Sequence, residues 1–334
     1  MKNYLRFFSN FISLNQLVGI TSQKVFLPFY HTLSNNRLPH ISNLYTLRNE
    51  NIFKEDIDYL CKHFIPVSID ELFDIVHYNK QVTKPIMHLT FDDGLKEIHS
   101  TIAPILEEKG VPATIFINSG FVDNKDLFYR YKVSLIIEEF RNNKKYAAEI
   151  SRELNTAAKN EQEICTELLR LTIHDLPKIE SIAKLLGLNF NEFLLTEQPY
   201  LTSGQIDDLI KRGFTFGSHS VNHPFFKDIS DDERKRQVCD SFATLNNKFN
   251  LQNNYFSFPF SDEGVDTEFF KWMYNEQNCK LSFGISGLKK DFSKYHLHRI
   301  PFEGALQPAK DIVKTEYLYY IIKSFFNKNI YNRI

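Results

Sequence analysis

Met87-His88-Leu89-Thr90-Phe91-Asp92-Asp93-Gly94 is the stretch whose reading decides the fold. An apolar run ends abruptly in two adjacent carboxylates and a glycine. Neighbouring residues on a strand point to opposite faces, so Asp92 and Asp93 aim into one pocket only where the strand is ending. Gly94 supplies the permissive backbone for that ending. Paired carboxylates at the carboxyl end of a buried strand are where an α/β barrel or sheet places its chemistry. The ordinary alternative is an Asp-Gly turn whose neighbouring acid caps the next helix.

Outward from this stretch, 85–91 reads as a central strand, 95–109 as a helix closed by Gly110, and 113–118 as the next buried strand. Strand, helix, strand with short links predicts a parallel arrangement with a right-handed crossover. Upstream, 25–32 is an apolar run suited to a strand, with Tyr30-His31 at its end. Helical periodicity follows over 52–64, and Ser68 with Glu71 makes a capping box for a helix over 69–79. Residues 121–200 are charged and lack a strand pattern, and 128–144, 146–158 and 160–171 are candidate helices. After a helix over 204–212, a strand from Phe214 ends in Gly217-Ser218-His219-Ser220-Val221-Asn222-His223. Ser230 and Glu233 make a second capping box, opening a helix to about Lys248, and strands follow at 255–260, 280–286 and 296–302. An aromatic amphipathic helix forms the tail. The division is therefore one barrel domain over 1–120 and 201–334, with a lead-in at 1–84, a tail at 307–334 and a helical insertion at 121–200.

A chain of 334 residues with 43% hydrophobic and 24% charged content has the composition of a globular protein. Its net charge of −1 gives no general field towards nucleic acid. Cys61, Cys165, Cys239 and Cys279 are scattered without C-x-x-C spacing, which excludes a zinc knuckle and a dense disulfide framework. Phe7-Phe8 and Phe11-Ile12 are too broken by polar residues for a signal-peptide core, and no window is apolar for the length of a bilayer span. These features predict a cytoplasmic protein.

His219 and His223, four apart, can present two imidazoles to one metal ion if the backbone turns helically there. Two histidines and an aspartate form a facial triad suited to zinc, iron, cobalt or manganese. Alone, an H-x-x-x-H pair is more often ordinary packing; its place at a Gly-Ser strand end, matching that of the aspartate pair, is what singles it out. Thr90-Phe91-Asp92-Asp93-Gly94 and His219-Ser220-Val221-Asn222-His223 resemble the first two signature motifs of the polysaccharide deacetylases, the NodB-homology family (carbohydrate esterase family four). Ala103-Pro104-Ile105-Leu106 through Gly110-Val111-Pro112-Ala113-Thr114-Ile115-Phe116 is similar to that family's helix and second strand. The resemblance covers roughly 85–120 and 200–302, with a lead-in at 25–75. It implies a distorted (β/α) barrel and a metal-dependent de-N-acetylase of N-acetylated sugars. It makes Asp93, His219 and His223 the ligands of a divalent metal, zinc first, with cobalt, nickel, manganese and iron as alternatives. Asp92 becomes the general base that takes a proton from the metal-held water, and a donor must then protonate the leaving amine.

The third motif departs from the family pattern. Ser257-Phe258-Pro259-Phe260 stands where an Arg-x-Pro-Tyr type is usual, so the arginine that orients the base is missing. Arg299 on a neighbouring strand is the candidate replacement, and His298 or His296 the candidate acid. Tyr30, His31, Pro259 and Phe260 are expected to contact substrate. The substrate is expected to be an N-acetyl sugar of a polysaccharide or its lipid-linked precursor. The basic first 49 residues, with Lys2, Arg6, Lys24, Arg37 and Arg48, and the aromatic tail could touch an anionic membrane, although packing of the tail on the barrel is preferred. A deformylase of a lipid-linked formamido sugar is a close variant. A sugar-binding protein on a dead scaffold and a magnesium phosphotransfer site are the readings from other classes; the intact Asp92, Asp93, His219 and His223 set argues against the first, and the paired histidines against the second.

Overall fold

The two ends of the barrel sheet meet at a single residue, Arg299. The computed structural model describes residues 11–304, 307–331 and 333. Among these, eleven short strands form: β1 (Val25–Phe26), β2 (Pro28–Tyr30), β3 (Ile65–Pro66), β4 (Ile86–Met87), β5 (Leu89–Phe91), β6 (Ala113–Ile117), β7 (Thr215–Ser218), β8 (Asn254–Ser257), β9 (Cys279–Gly284), β10 (His296–His298) and β11 (Ile300–Pro301). Eight of them, in spatial order β10-β9-β8-β7-β6-β5-β2-β11, make one all-parallel sheet. Its two end strands are consecutive in the chain. The first half of 296–301 pairs with β9, the second half pairs with β2, and Arg299 lies at the changeover. A nearly closed (β/α) barrel with flanking helices results, as the resemblance implies.

Two sequence runs that read as single strands are each split. Residues 25–30 break at Leu27 and 86–91 break at His88, and the leading halves β1 and β4 join β3 in a separate three-stranded sheet. His88 occupies the split, its ring bonded to the Val67 carbonyl at 2.8 Å and the Thr114 hydroxyl at 2.9 Å. It is thus a satisfied structural histidine.

Local sequence sets the helix starts as expected at Ser68, where the reciprocal capping box with Glu71 forms. At Ser230 only half of the box forms. The hydroxyl accepts from the Glu233 N–H, but the Glu233 carboxylate goes to Arg236 and Gln237 instead. The helix Thr267–Asn275 was hidden between strand signals, and Leu176–Leu186 and Phe190–Glu197 extend the helical region beyond the three expected helices. That region builds its own core from Val133, Ile136, Ile164, Leu168, Ile179 and Ile182, all buried. The tail helix Ala309–Phe325 packs on the barrel through Val313, Tyr317 and Leu318, and Tyr317 donates to the Gln23 carbonyl at 2.9 Å. Of the basic lead-in, Lys2 and Arg6 lie outside the described residues. No helix among the described residues is long and apolar enough to cross a membrane.

Gly94 shows why the decisive turn needs glycine. Its φ is +68°, and a Cβ there would stand 2.6 Å from Ile117 Cγ2 on β6. Gly94→Ala is expected to destabilise the protein by about 2 kcal/mol or more, from left-handed backbone cost and overpacking together. Equilibrium urea unfolding measures it, and a change within about 0.5 kcal/mol would contradict the packing argument.

Candidate active site at the carboxyl ends of the strands

The two carboxylates leave β5 in different conformations, and this solves the alternation problem. Asp92 continues the strand direction, while Asp93 turns to a φ of +69° and brings its side chain to the same end of the barrel. Both are buried, at 2% and 5% exposure.

The histidine pair is set by a turn and not by a helix. Ser220 and His223 have φ of +72° and +60°, and the Ser220 hydroxyl accepts from the His223 N–H at 3.0 Å. Asn118 at the end of β6 donates to the His219 carbonyl, and Gln237 accepts from the N–H groups of Val221 and Asn222. His219 Nδ1 lies 2.7 Å from the Ser257 carbonyl, which can only accept, so Nδ1 carries the proton and Nε2 keeps a free lone pair. His223 is held by rings: Phe128 and Phe260 have centroids 4.3 and 4.7 Å from its own. Burial pushes His219 down to about 4 and His223 down to about 3, so both are neutral near pH 7.

Three donors converge. Asp93 Oδ1 lies 3.7 Å from His219 Nε2 and 3.4 Å from His223 Nε2. Bonds of about 2.0–2.2 Å to one ion, at tetrahedral to octahedral angles, would set donors about 3–3.5 Å apart. Asp93 Oδ1 is buried and has no hydrogen-bond partner among the described residues. The donor set and that orphaned oxygen fit a divalent transition metal. The other oxygen, Oδ2, accepts from the Tyr131 hydroxyl at 2.8 Å, so the helix Tyr129–Asn142 reaches over the site and leaves one oxygen free.

Asp92 is organised quite differently. Arg299 clamps it with both terminal nitrogens, Nη1 to Oδ1 at 2.7 Å and Nη2 to Oδ2 at 2.7 Å. The same guanidinium donates to Thr90 Oγ1 at 2.9 Å and to Ser257 Oγ at 2.6 Å. Its flat faces lie against Phe29 and Phe116, 4.5 and 5.5 Å from the ring centroids. Burial alone would raise the Asp92 pKa, but the Arg299 charge and hydrogen bonds hold it well below the usual carboxylate range. The barrel seam therefore delivers the arginine that Ser257 lacks. Ser257 contributes in its place a hydroxyl to Arg299 and a carbonyl to His219.

His31, at the end of β2, lines the same cavity as Asp92, Asp93, His219 and His223. Its Nδ1 lies 2.6 Å from Glu303 Oε2, and Glu303 Oε1 accepts from the N–H groups of His31 and Thr32 at 2.8 and 3.0 Å. Burial lowers the imidazole pKa, but the Glu303 carboxylate overrides it and holds His31 up at about 9. His31 is thus the one cationic imidazole facing the site near pH 7.

The cavity holds about 300 Å³, the lower end of small-ligand sites, and its walls are mostly apolar, with Phe29, Tyr45, Phe128, Phe258 and Phe260. Arg130 lines it as well. Of the expected contacts, His31 and Phe260 are in the lining. Tyr30 turns the other way and bonds Asp56 at 3.1 Å, and Pro259 falls between two lining residues without joining them. His298, expected as the proton donor, is outside the site. Alternation along β10 puts Leu297 and Arg299 inside the barrel, so His296 and His298 face outward. Tyr131, Glu303 and Phe128 carried no motif in the sequence.

A model of the polysaccharide deacetylase family matches residues 79–166 and 173–272, more than half of the chain. A search of curated proteins returns no match. Among solved structures, the Streptococcus pyogenes deacetylase PplD in complex with acetate is similar at 16% identity and a TM-score of 0.57, covering 88% of this chain and 98% of its own. IcaB from Ammonifex degensii has 13% identity and a TM-score of 0.54, over 88% of this chain and 97% of its own. The de-N-acetylase from Aggregatibacter actinomycetemcomitans gives 13% and 0.52, over 86% and 99%. At such identities the likeness speaks for the fold.

Proposed function

The chain belongs to the polysaccharide deacetylase family, enzymes that remove N-acetyl groups from carbohydrates, and from that premise we propose that its substrate is an N-acetylated amino sugar of a polysaccharide or of its precursor. Acetate and a free amine are the products. The observation that carries this reading is the Asp92–Arg299 clamp set beside Asp93, His219 and His223 in one apolar cavity.

In the proposed chemistry, a divalent ion held by Asp93, His219 and His223, zinc by its donor set, would polarise the acetyl carbonyl and make nearby water more acidic. Asp92 stays ionised and, aimed by Arg299, takes a proton from the attacking water. His31 arrives protonated and gives its proton to the leaving nitrogen, and Glu303 steadies the ring through both states. The apolar walls shed water and leave room for a single sugar unit beside the reacting amide.

Two measurements test this. Purified protein should release acetate from at least one member of a panel of N-acetyl sugars, nucleotide sugars, oligosaccharides and lipid-linked intermediates. Combined His219→Ala and His223→Ala should abolish that release and the metal content attributed to Asp93, His219 and His223 together; full turnover in this variant would sink the assignment.

The proton donor has its own test. Glu303→Gln removes the anion that lifts His31, leaving burial opposed only by Asp92 and Asp93, so the imidazole pKa falls from about 9. A general acid must be protonated, and its contribution is lost as pH rises through its pKa. The alkaline limb of the kcat profile should therefore move to lower pH in Glu303→Gln. A limb that stays in place would remove His31 from the donor role.

A further inference from the structure

We propose that Asp262, His296 and His298 form a second divalent-metal site on the outer face of the barrel, with Asp291, Ser282 and Arg333 orienting the three ligands. The site lies apart from the cavity that holds Asp92. Ser282 and Gly284 of β9 and His296 and His298 of β10 share the outward face, opposite Phe283 and Arg299. Asp262 comes from the loop after β8 and completes the cluster.

Each ligand has one atom committed and one atom free. His298 Nε2 lies 3.0 Å from Asp291 Oδ2, which puts the proton on Nε2 and leaves Nδ1 with only a long 3.4 Å contact from the Ser286 N–H. This is the carboxylate–histidine arrangement that fixes a metal-binding tautomer. His296 Nδ1 lies 2.7 Å from the Ser282 hydroxyl, itself 2.7 Å from the Tyr274 hydroxyl, and His296 Nε2 stands 3.3 Å from Asp262 Oδ2 without hydrogen-bond geometry. Asp262 Oδ2 takes a hydrogen bond from Arg333, while Asp262 Oδ1 has no partner among the described residues. The free atoms point to one place. A Cβ added at Gly284 would collide with Asp262 Oδ1 and stand 2.8 Å from His298 Nδ1 and 2.9 Å from His296 Nε2. Glycine at 284 is what keeps that place clear.

The competing account makes Arg333 the only cation the cluster needs. Its Nη2 bonds Asp291 Oδ2 at 2.8 Å and also reaches Asp262, and the guanidinium stacks 4.2 Å from the Phe270 ring centroid. With the 3.1 Å bond from Nε to Asp291 Oδ1, the guanidinium satisfies three carboxylate oxygens, yet it leaves Asp262 Oδ1 without a partner and His296 Nε2 with only its 3.3 Å approach to Asp262 Oδ2, at 1% and 2% exposure. Arginine has no acceptor to offer an imidazole N–H and cannot reach the second oxygen. One ion would satisfy both orphans together with His298 Nδ1. Nitrogen and carboxylate donors of this kind select zinc or a neighbouring transition metal over calcium or magnesium. A cleft of about 390 Å³ beside Asp291, His296 and His298 gives an approach from solvent. The role is structural: the ion would tie the loop after β8 to β10, next to the seam that carries Arg299.

The test is zinc stoichiometry on the full chain, loaded with zinc, freed of excess by gel filtration and measured by mass spectrometry. Wild type should carry two equivalents. Combined His219→Ala and His223→Ala should keep one, and Asp262→Asn, or combined His296→Gln and His298→Gln, should lose one. Asp262→Asn is the milder variant and keeps its shape should the histidine pair fail to fold. Folded His219→Ala, His223→Ala protein with no zinc overturns the proposal, and so does Asp262→Asn protein that still carries the wild-type complement. If the assignment of Asp93, His219 and His223 were wrong and this one right, wild type would carry one equivalent and Asp262→Asn none.

Discussion

Arg299→Gln is expected to destabilise the protein by about 3–5 kcal/mol and to abolish measurable deacetylation, the largest combined effect of any single exchange in the barrel. Arg299 is fully buried, and its two terminal nitrogens make four hydrogen bonds, two of them to Asp92. Glutamine leaves a carboxylate buried without its counter-charge, and the loss of that partner dominates the cost. The seam adds to it. The Arg299 N–H donates to the Gly284 carbonyl at 2.9 Å where the sheet changes partners, so a displaced side chain disturbs the closure of the ring. Arg299→Lys restores the charge without the planar fork and is expected to recover part of the stability while leaving turnover low. Urea unfolding and acetate release report the two effects separately. An Arg299→Gln protein within about 1 kcal/mol of wild type would show that Asp92 is not held as the geometry describes.

Much of this centre was legible in the sequence because it is local. Thr90-Phe91-Asp92-Asp93-Gly94 and His219–His223 each sit inside a few residues of a strand end, where composition and position speak together. Arg299 was legible only as a replacement for something missing. Glu303 and Tyr131 were not legible, since His31 meets Glu303 across 272 positions and Asp93 meets Tyr131 across 38, and neither pairing leaves a periodic trace. The split strands failed for a related reason. Leu27 and His88 break the ladder inside the apolar runs 25–32 and 85–91, and Arg299 breaks it inside 296–302, so each reads as one strand. His298 illustrates the cost of an unfixed register: one position along the chain separates Arg299, which reaches Asp92 inside the barrel, from a residue on the outer face.

Asp92→Asn is expected to lower kcat by about 10²–10⁴-fold, the range for loss of a general base, while leaving the Asp93, His219 and His223 donors in place. Asparagine keeps the shape and one acceptor for Arg299 but cannot take a proton from water. Because Arg299 holds the Asp92 carboxyl well below the usual carboxylate range, the base is ionised throughout the neutral region, and any loss of activity on mild acidification comes from another group. Asp92→Asn also strands a buried guanidinium, so it too should be destabilising. The two exchanges remove opposite halves of one pair, which makes their combination informative. Asp92→Asn with Arg299→Gln takes away both charges and leaves neither buried alone, so its loss of stability should fall clearly short of the sum of the single losses. The turnover losses should not add either, since either exchange already leaves water without a base that is both ionised and aimed. Additive stabilities in this cycle would mean that the clamp contributes nothing as a pair, and an active Asp92→Asn protein would move the base to another residue.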